Sequence, residues 1–363
     1  MSEVGSSEVV SPGTYGSIQM LRAAAALSVL VFHLGDPLKR LGHDGGWPSA
    51  FSAGVDVFFV ISGFIMWTTT RQKPVSAADF LKRRLIRVVP MYWIVTSLVI
   101  AILIFGTNRV STGALDWRHA ISSYAFVAME HPGRPGEIAP LLLVGWTLNY
   151  EMAFYGLFAL SLCLKARARL WGLLLTLAGL ALLGAASDGF GGAPGFYTAP
   201  IVLEFALGIM IAVRVAAGRW LSGKAAWTSV ALGLLLLALS PSEISRTGGD
   251  RLIAYGLPAG LIVMGALSLE RGGLAFTARL PLLIGQASYT IYLVHGVALS
   301  AGVSVWLRLG LPSDGPAWRL AFALSVASAA ALAGLLSWRF VERPTDRLVR
   351  HGLARRARRE VMP

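Results

Sequence analysis

The sequence is short of acidic residues, short of charge overall and almost without cysteine. Asp and Glu number 19 against 32 Lys and Arg, and only 14% of the 363 residues are charged. A soluble globular chain carries about 25% charged residues, so this chain has too little charge to clothe a water-facing surface. Its one cysteine, Cys163, excludes an internal disulfide and gives no basis for a thiolate metal site. The six histidines stand in no metal-ligand spacing, so no metal is expected. Period-two alternation is missing as well. The apolar runs are continuous and about 16–24 residues long, which excludes a transmembrane β-barrel.

Long apolar runs are what the chain does have. Hydrophobic residues make up 55% of it, and the mean hydropathy is +0.64. Helices satisfy their own backbone in lipid, so the expected fold is all-α, a polytopic integral-membrane helical bundle. Ten spans are expected, near 17–35, 53–70, 88–106, 142–164, 168–187, 198–216, 225–240, 251–268, 282–306 and 317–341. Residues 1–16 read as a disordered tail without the basic start of a signal peptide, residues 17–345 as one membrane domain and 346–363 as a basic tail. An interfacial or re-entrant piece is expected around 118–129.

The net charge of +13 comes from Lys and Arg clustered in short loops and in the tail. That is the signature of cytoplasmic segments, not of nucleic-acid binding. The densest internal cluster, Arg71 to Arg87, goes to the cytoplasm, and ten spans then place both termini on that side. Lipid and no nucleic acid are the expected surroundings, and the oligomeric state is left open, a homo-oligomer included.

Ionisable residues inside spans are costly and mark functional paths, unless they only fasten helices together. Arg22 and His33 bracket the run R-A-A-A-A-L-S-V-L-V-F-H. Eleven residues return to nearly the same helix face and span roughly 16 Å. Asp56, Glu151, Glu204 and His295 come from four further spans and are expected, with His33, in the outer half to the middle of the bilayer. Arg84 and Arg87 form an i, i+3 pair, a fork suited to phosphate oxygens. Trp146, Asn149 and Tyr150 lead into Glu151 as an interfacial belt or a polar lining. The chemistry permitted is phosphate capture by arginines, an extended arm along the first span, and His33 as general base toward a hydroxyl. Asp56 or Glu151 would orient its imidazole, as the third member of a triad does.

Six motifs fall in order along residues 17–345: R-x10-H at 22–33, G-V-D-V-F-F-V-I-S-G-F at 54–64 and R-R-L-I-R-V-V-P-M-Y at 83–92, then W-T-L-N-Y-E-M-A-F-Y at 146–155, S-Y-T-I-Y-L-V-H at 288–295 and R-F-V-E-R-P at 339–344. Together they resemble the acyltransferase-3 family of integral-membrane acyltransferases, with an opening S-I-Q-M-L-R similar to the exopolysaccharide O-acetylase branch. The Thr of W-T-L-N-Y-E and the Val before His295 depart from the commoner pattern and bear on the acceptor pocket. The resemblance implies an acyl-CoA donor, usually acetyl-CoA, on the cytoplasmic side of a bacterial inner membrane, and a polysaccharide or lipid-linked glycan acceptor. By matching position it makes His33 the catalytic histidine and puts Arg22, Arg84 and Arg87 in donor binding. Glu151 and Asp56 match family acids, while Trp146, Asn149, Tyr150, Glu204 and His295 fall to substrate binding. A glycolipid transporter with an intramembrane proton path is the competing reading; transporters are often built from repeated halves, and no internal repeat is visible.

Overall fold

The computed structural model describes residues 15–43, 46–73, 75–105, 116–186 and 190–361, the side chains of 353–361 excepted. Among the described residues fifteen α-helices follow one another: α1 Gly16–Phe32, α2 Gly35–Arg40, α3 Gly54–Gln72, α4 Ala77–Phe105, α5 Trp117–Tyr124, α6 Trp146–Ser161, α7 Ala166–Ala186, α8 Gly192–Tyr197, α9 Leu203–Ala216, α10 Gly223–Ala238, α11 Gly249–Arg251, α12 Leu257–Arg271, α13 Arg279–Arg308, α14 Pro316–Ser337 and α15 Arg343–Val361. No strand occurs among the described residues, only a single antiparallel bridge between Glu130 and Ile138. The fold is the all-α membrane bundle expected from composition.

Eight helical segments among the described residues are long and apolar enough to cross a membrane: Gly16–Arg40, Ser49–Gln72, Ala77–Phe105, Ala166–Ala186, Gly192–Ala216, Gly249–Arg271, Arg279–Arg308 and Pro316–Gly352. The other two expected spans are helices of 16 residues each, α6 and α10. A straight crossing needs about 20 residues, so both fall short. Helix α6 is also diluted by Asn149, Tyr150 and Glu151, the residues that made it a functional candidate. Exposed Leu and Trp side chains, such as Leu175, Leu234 and Trp227, form the lipid-facing exterior. The expected N-terminal tail lies outside the described residues as far as residue 14, and α1 already begins at Gly16. The basic C-terminal tail continues as helix to Val361.

Bare backbone contact sets how closely the central helices approach. A Cβ on Gly63 of α3 would sit 2.1 Å from the Phe205 carbonyl oxygen of α9, and one on Gly208 would sit 2.0 Å from that of Val60. Helix α1 is wedged the same way, against α3 at Gly54 (2.3 Å to Ala25 O) and against α13 at Gly285 (2.1 Å to Gln19 O). In lipid, helix association rests on such close packing rather than on a hydrophobic driving force. Gly208→Val is expected to cost about 1–3 kcal/mol through overpacking, read as a lowered thermal midpoint in detergent. An unchanged midpoint would show that α9 does not pack here.

Two further features aim side chains inward. Pro90 lies inside α4, where it removes a backbone donor and bends the helix; the residues just before it carry Arg84 and Arg87. Wide π-helical turns occur at Leu252–Gly256, between α11 and α12, and at Trp338–Glu342, between α14 and α15. Such turns gather at functional positions. The first follows directly on Arg251 and the second ends at Glu342.

Candidate active site

Two cavities enter the bundle, and the expected site residues divide between them. The smaller, about 300 Å³, is lined by Arg22, Arg84, Arg87, Glu151, Tyr155 and Ser288, with Phe58, Thr147, Val55 and Tyr292 also in its wall. The larger, about 1230 Å³, is lined by His33, Trp47, Arg134, Glu137, Trp146 and Arg246, again with Val55 and Tyr292. Val55 and Tyr292 are the two residues common to both linings. The Tyr292 hydroxyl donates to the Val144 carbonyl at 2.9 Å and lies 2.8 Å from Thr147 Oγ1, which fixes its ring as a partition.

In the arginine cavity, the Arg22 Nε–H donates to Ser288 Oγ at 3.2 Å. Arg84 stacks over Phe80 and Tyr155, 5.5 and 5.9 Å from the ring centroids, and its buried Nε has no protein partner. Neither these two nor Arg87 has a carboxylate within ion-pair distance among the described residues. The one acid in the lining, Glu151, is engaged by Ser62 Oγ at 2.8 Å and by the Tyr155 hydroxyl. Three guanidinium groups without an ion pair, facing a single lining carboxylate in one small cavity, are costly unless an anion completes them. The arrangement can hold phosphate or another multivalent anion.

In the histidine cavity, His33 caps the C-terminus of α1. Its Nδ1 lies 2.8 Å from the Val29 carbonyl, and a carbonyl can only accept, so Nδ1 carries the proton. Likewise His295 Nδ1 faces the Ile291 carbonyl at 3.3 Å, which leaves its Nε2 as an acceptor 3.3 Å from His33 Nδ1. The shared proton of His33 therefore points at an oxygen and at a neutral imidazole lone pair. Nε2 of His33 remains as the free basic nitrogen, which suits a general base.

This corrects the expected triad. Neither Asp56 nor Glu151 is hydrogen-bonded to His33; Glu151 belongs to the other cavity and Asp56 is wholly buried in an ion pair. The Arg251 guanidinium donates twice to Asp56, at 3.0 and 2.6 Å, and once to the Ser52 carbonyl at 3.1 Å. Glu204 is buried beside this pair, its carboxyl against that of Asp56. Of the residues expected to bind substrate, Trp146 faces the larger cavity, whereas His295, Asn149, Tyr150 and Glu204 line neither. Tyr150 is spent on structure: its hydroxyl donates to the Phe196 carbonyl at 2.5 Å and its ring stacks 4.0 Å from that of Phe196. The common cause is that helical periodicity specifies a face but not which neighbour occupies it.

Other contributors were not singled out in the sequence. Ser288 and Tyr292 stand on α13 seven and three residues before the expected His295, on one stripe of the helix and inside a quoted motif that carries the signal for them. Arg251, the first residue of the expected span 251–268, was not singled out either. In the 116–145 connection, α5 covers part of the stretch expected as an interfacial or re-entrant piece, and His119 and His131 pack as a buried pair 5.1 Å apart. Burial, then the neighbouring His119 and Arg134, push His131 down to about 4. Close by, Glu137 bridges Arg134 at 3.3 Å and Arg246. Burial opposes the Glu137 charge, but Arg246 and Arg134 outweigh it and hold the carboxyl below its ordinary range.

Comparison with known proteins agrees with this picture. The chain is 39% identical over 320 residues to the exopolysaccharide production protein ExoZ of Rhizobium meliloti, covering 84% of this chain and 92% of the relative. It is 27% identical to nodulation protein 10 of Rhizobium leguminosarum bv. viciae, over 97% of this chain and 99% of that one. It is 26% identical to the acyltransferase MdmB of Streptomyces mycarofaciens, over 92% of each. No solved structure gives a significant match. The profile of the acyltransferase domain of the acyltransferase-3 family matches residues 15–338, all but the ends of the chain, and the protein is therefore a membrane acyltransferase belonging to that family.

Proposed function

We propose that this acyltransferase moves an acetyl group from acetyl-CoA, held from the cytoplasmic side, to a hydroxyl of an extracytoplasmic or lipid-linked polysaccharide. The observation that carries the proposal is the division of labour along α1. Arg22 lies in a cavity of unpaired arginines, and His33 lies in the larger cavity across the Tyr292 partition. The two residues are roughly 16 Å apart along the helix axis. Arginine clusters fit the phosphates of a nucleotide-bearing donor. A 300 Å³ cavity stands at the lower limit of ligand clefts and suits the narrow thioester arm rather than the nucleotide. The basic stretch 71–87, expected as a loop, is helical from Ala77 on, so Arg84 and Arg87 stand on the first turns of α4 within it. Its charge supports a cytoplasmic mouth for that cavity and a bacterial inner-membrane setting with both termini inside.

In the proposed reaction, His33 Nε2 takes the proton of the acceptor hydroxyl as its oxygen attacks the thioester carbonyl. The new C–O ester bond forms, the C–S bond breaks, and the imidazolium returns its proton to the leaving thiolate. The Val29 carbonyl and the neutral His295 Nε2, on the opposite side of the ring, stabilise the transient positive charge. The exopolysaccharide role in the printed name of the Rhizobium meliloti relative supports a glycan acceptor.

The test is acetyl transfer from labelled acetyl-CoA by the purified chain. Arg84→Gln and Arg87→Gln are expected to raise the KM for acetyl-CoA by tenfold or more, since each removes a charge-assisted contact of about 1.5–3 kcal/mol. Wild-type KM in the double variant, or intact thioester with wild-type protein, would sink the donor assignment; a transporter would leave the thioester whole.

A further inference from the structure

We infer that the acceptor carries a negative charge, a carboxylate on the glycan or a diphosphate linkage, and that the wall of the histidine cavity binds it. This deepens the acyl-transfer reading and rests on it for the side of the membrane. The cavity wall holds Lys39 and Arg40 of α2, Arg308 at the end of α13, and Arg134 and Arg246 from connecting segments. Arg251 is excluded from this set because Asp56 neutralises it. Against these five cations stand three carboxylates in the lining, Asp36, Glu137 and Glu243. The cations come from four separate stretches of chain, so no single loop composition accounts for them.

Topology gives no reason for them either. Lys and Arg are enriched on the cytoplasmic side of membrane proteins, and in the proposed orientation this cavity opens to the other side. Cations kept there need a local cause. The built part of the site is the Arg134–Glu137–Arg246 group, where one carboxylate is shared by two guanidinium groups and leaves one positive charge unmatched. The Arg246 guanidinium lies 4.6 Å over the Trp146 ring, which fixes its plane, and Trp47 is fixed by donation from its indole to the Val31 carbonyl at 2.8 Å. Both tryptophans face the same cavity as His33. Arg134 and Arg246 keep 37% and 36% of their side-chain surface open, so donors remain for a ligand. Flat aromatic faces beside a bidentate cation match a sugar ring with an anionic substituent. The anion would be anchored at this wall while a neighbouring hydroxyl meets His33.

The experiment measures binding of matched pairs to the full-length protein in detergent by calorimetry. One pair is a glucuronate-containing oligosaccharide and its carboxyl-reduced counterpart. The other is glucose linked to farnesyl diphosphate and farnesyl glucoside without the diphosphate. At low salt, at least one charged member is expected to bind tenfold or more tightly than its neutral partner. The preference should shrink at high salt and in Arg134→Gln/Arg246→Gln. The pair that discriminates identifies where the charge resides. Should that variant misfold, Lys39→Gln/Arg308→Gln, at exposed positions, is expected to reduce the same preference at least threefold. Charged and neutral members binding within twofold of each other in both pairs overturns the inference. Because binding needs no chemistry, His33→Ala should keep the charge preference. Preference without any transfer refutes the reaction and leaves the anion site standing, whereas transfer with no preference does the reverse.

Discussion

His33→Ala yields a folded, membrane-inserted protein whose acetyl transfer falls by about 10²–10⁴-fold, the usual contribution of a positioned general base. In barrier terms that is about 3–5 kcal/mol. The fold survives because His33 sits at the end of α1 with its ring half-buried, and its removal breaks contacts to Val29 and Phe32 of its own helix and to His295. Proton NMR of the secreted polysaccharide should lose its acetyl methyl signals in cells carrying the variant. Undiminished acetyl content at wild-type protein levels would refute His33 as the base. His295→Ala separates chemistry from positioning. It keeps the basic nitrogen but removes the lone pair facing His33 Nδ1, so a smaller fall in kcat with a displaced pH profile is expected, and wild-type KM for the donor.

Arg251→Met produces the second large effect, on stability rather than on the reaction. Arg251 is the cation of a fully buried site that also holds Asp56 and Glu204. Removing it leaves Asp56 buried without its partner, a loss of about 3–5 kcal/mol for a broken buried pair. Asp56→Asn is expected to be milder, because Glu204 stands ready as the alternative carboxylate for the same guanidinium. The double variant Asp56→Leu/Arg251→Met should recover part of the loss, since no charge is stranded. The thermal midpoint in detergent and the amount inserted in the membrane report the order. An Arg251→Met midpoint within 1 °C of wild type would show that the pair contributes nothing. The distinction from His33 matters: both are ionisable clusters within the bundle, yet Arg251 is spent on Asp56 and fastens α3 to the α11–α12 segment, whereas His33 keeps a free basic nitrogen in the cavity.

That difference also marks how far the sequence could be read. Apolar runs located the eight segments long enough to cross a membrane among the described residues, because the length and continuity of a run are local properties and lipid imposes them on each span separately. The polar α15, by contrast, had been read only as a basic tail. The same locality brought Arg22, Arg84, Arg87 and His33 forward, each standing out against an apolar or topogenic background. What sequence alone could not supply was pairing. Asp56 was matched with His33 because both were expected at one depth; the structure gives Asp56 to Arg251, 195 residues away, and gives His33 to His295, 262 residues away. Such partners depend on helix rotation and on backbone-close crossings such as Gly63 on Phe205. Asn149 and Tyr150 show the same limit, since one turn of α6 distinguishes a buried packing face from the positions of Trp146 and Glu151, which line the two different cavities.

The partition at Val55 and Tyr292 has an electrical consequence. In the proposed orientation the two cavities open to opposite sides and meet at a thin wall, which would shorten the insulating path, so the membrane voltage would fall mainly across that wall rather than across the full hydrocarbon thickness. Moving a unit charge through it would then involve most of about 2.3 kcal/mol per 100 mV. In the proposed reaction the phosphates stay with the arginines on one side and the anionic acceptor stays with its cations on the other. Only an uncharged acetyl group passes between them, and the net proton exchange closes on His33 at one side of the wall. Acetyl delivery would therefore proceed at the same energetic cost in a polarised cell and in a depolarised one.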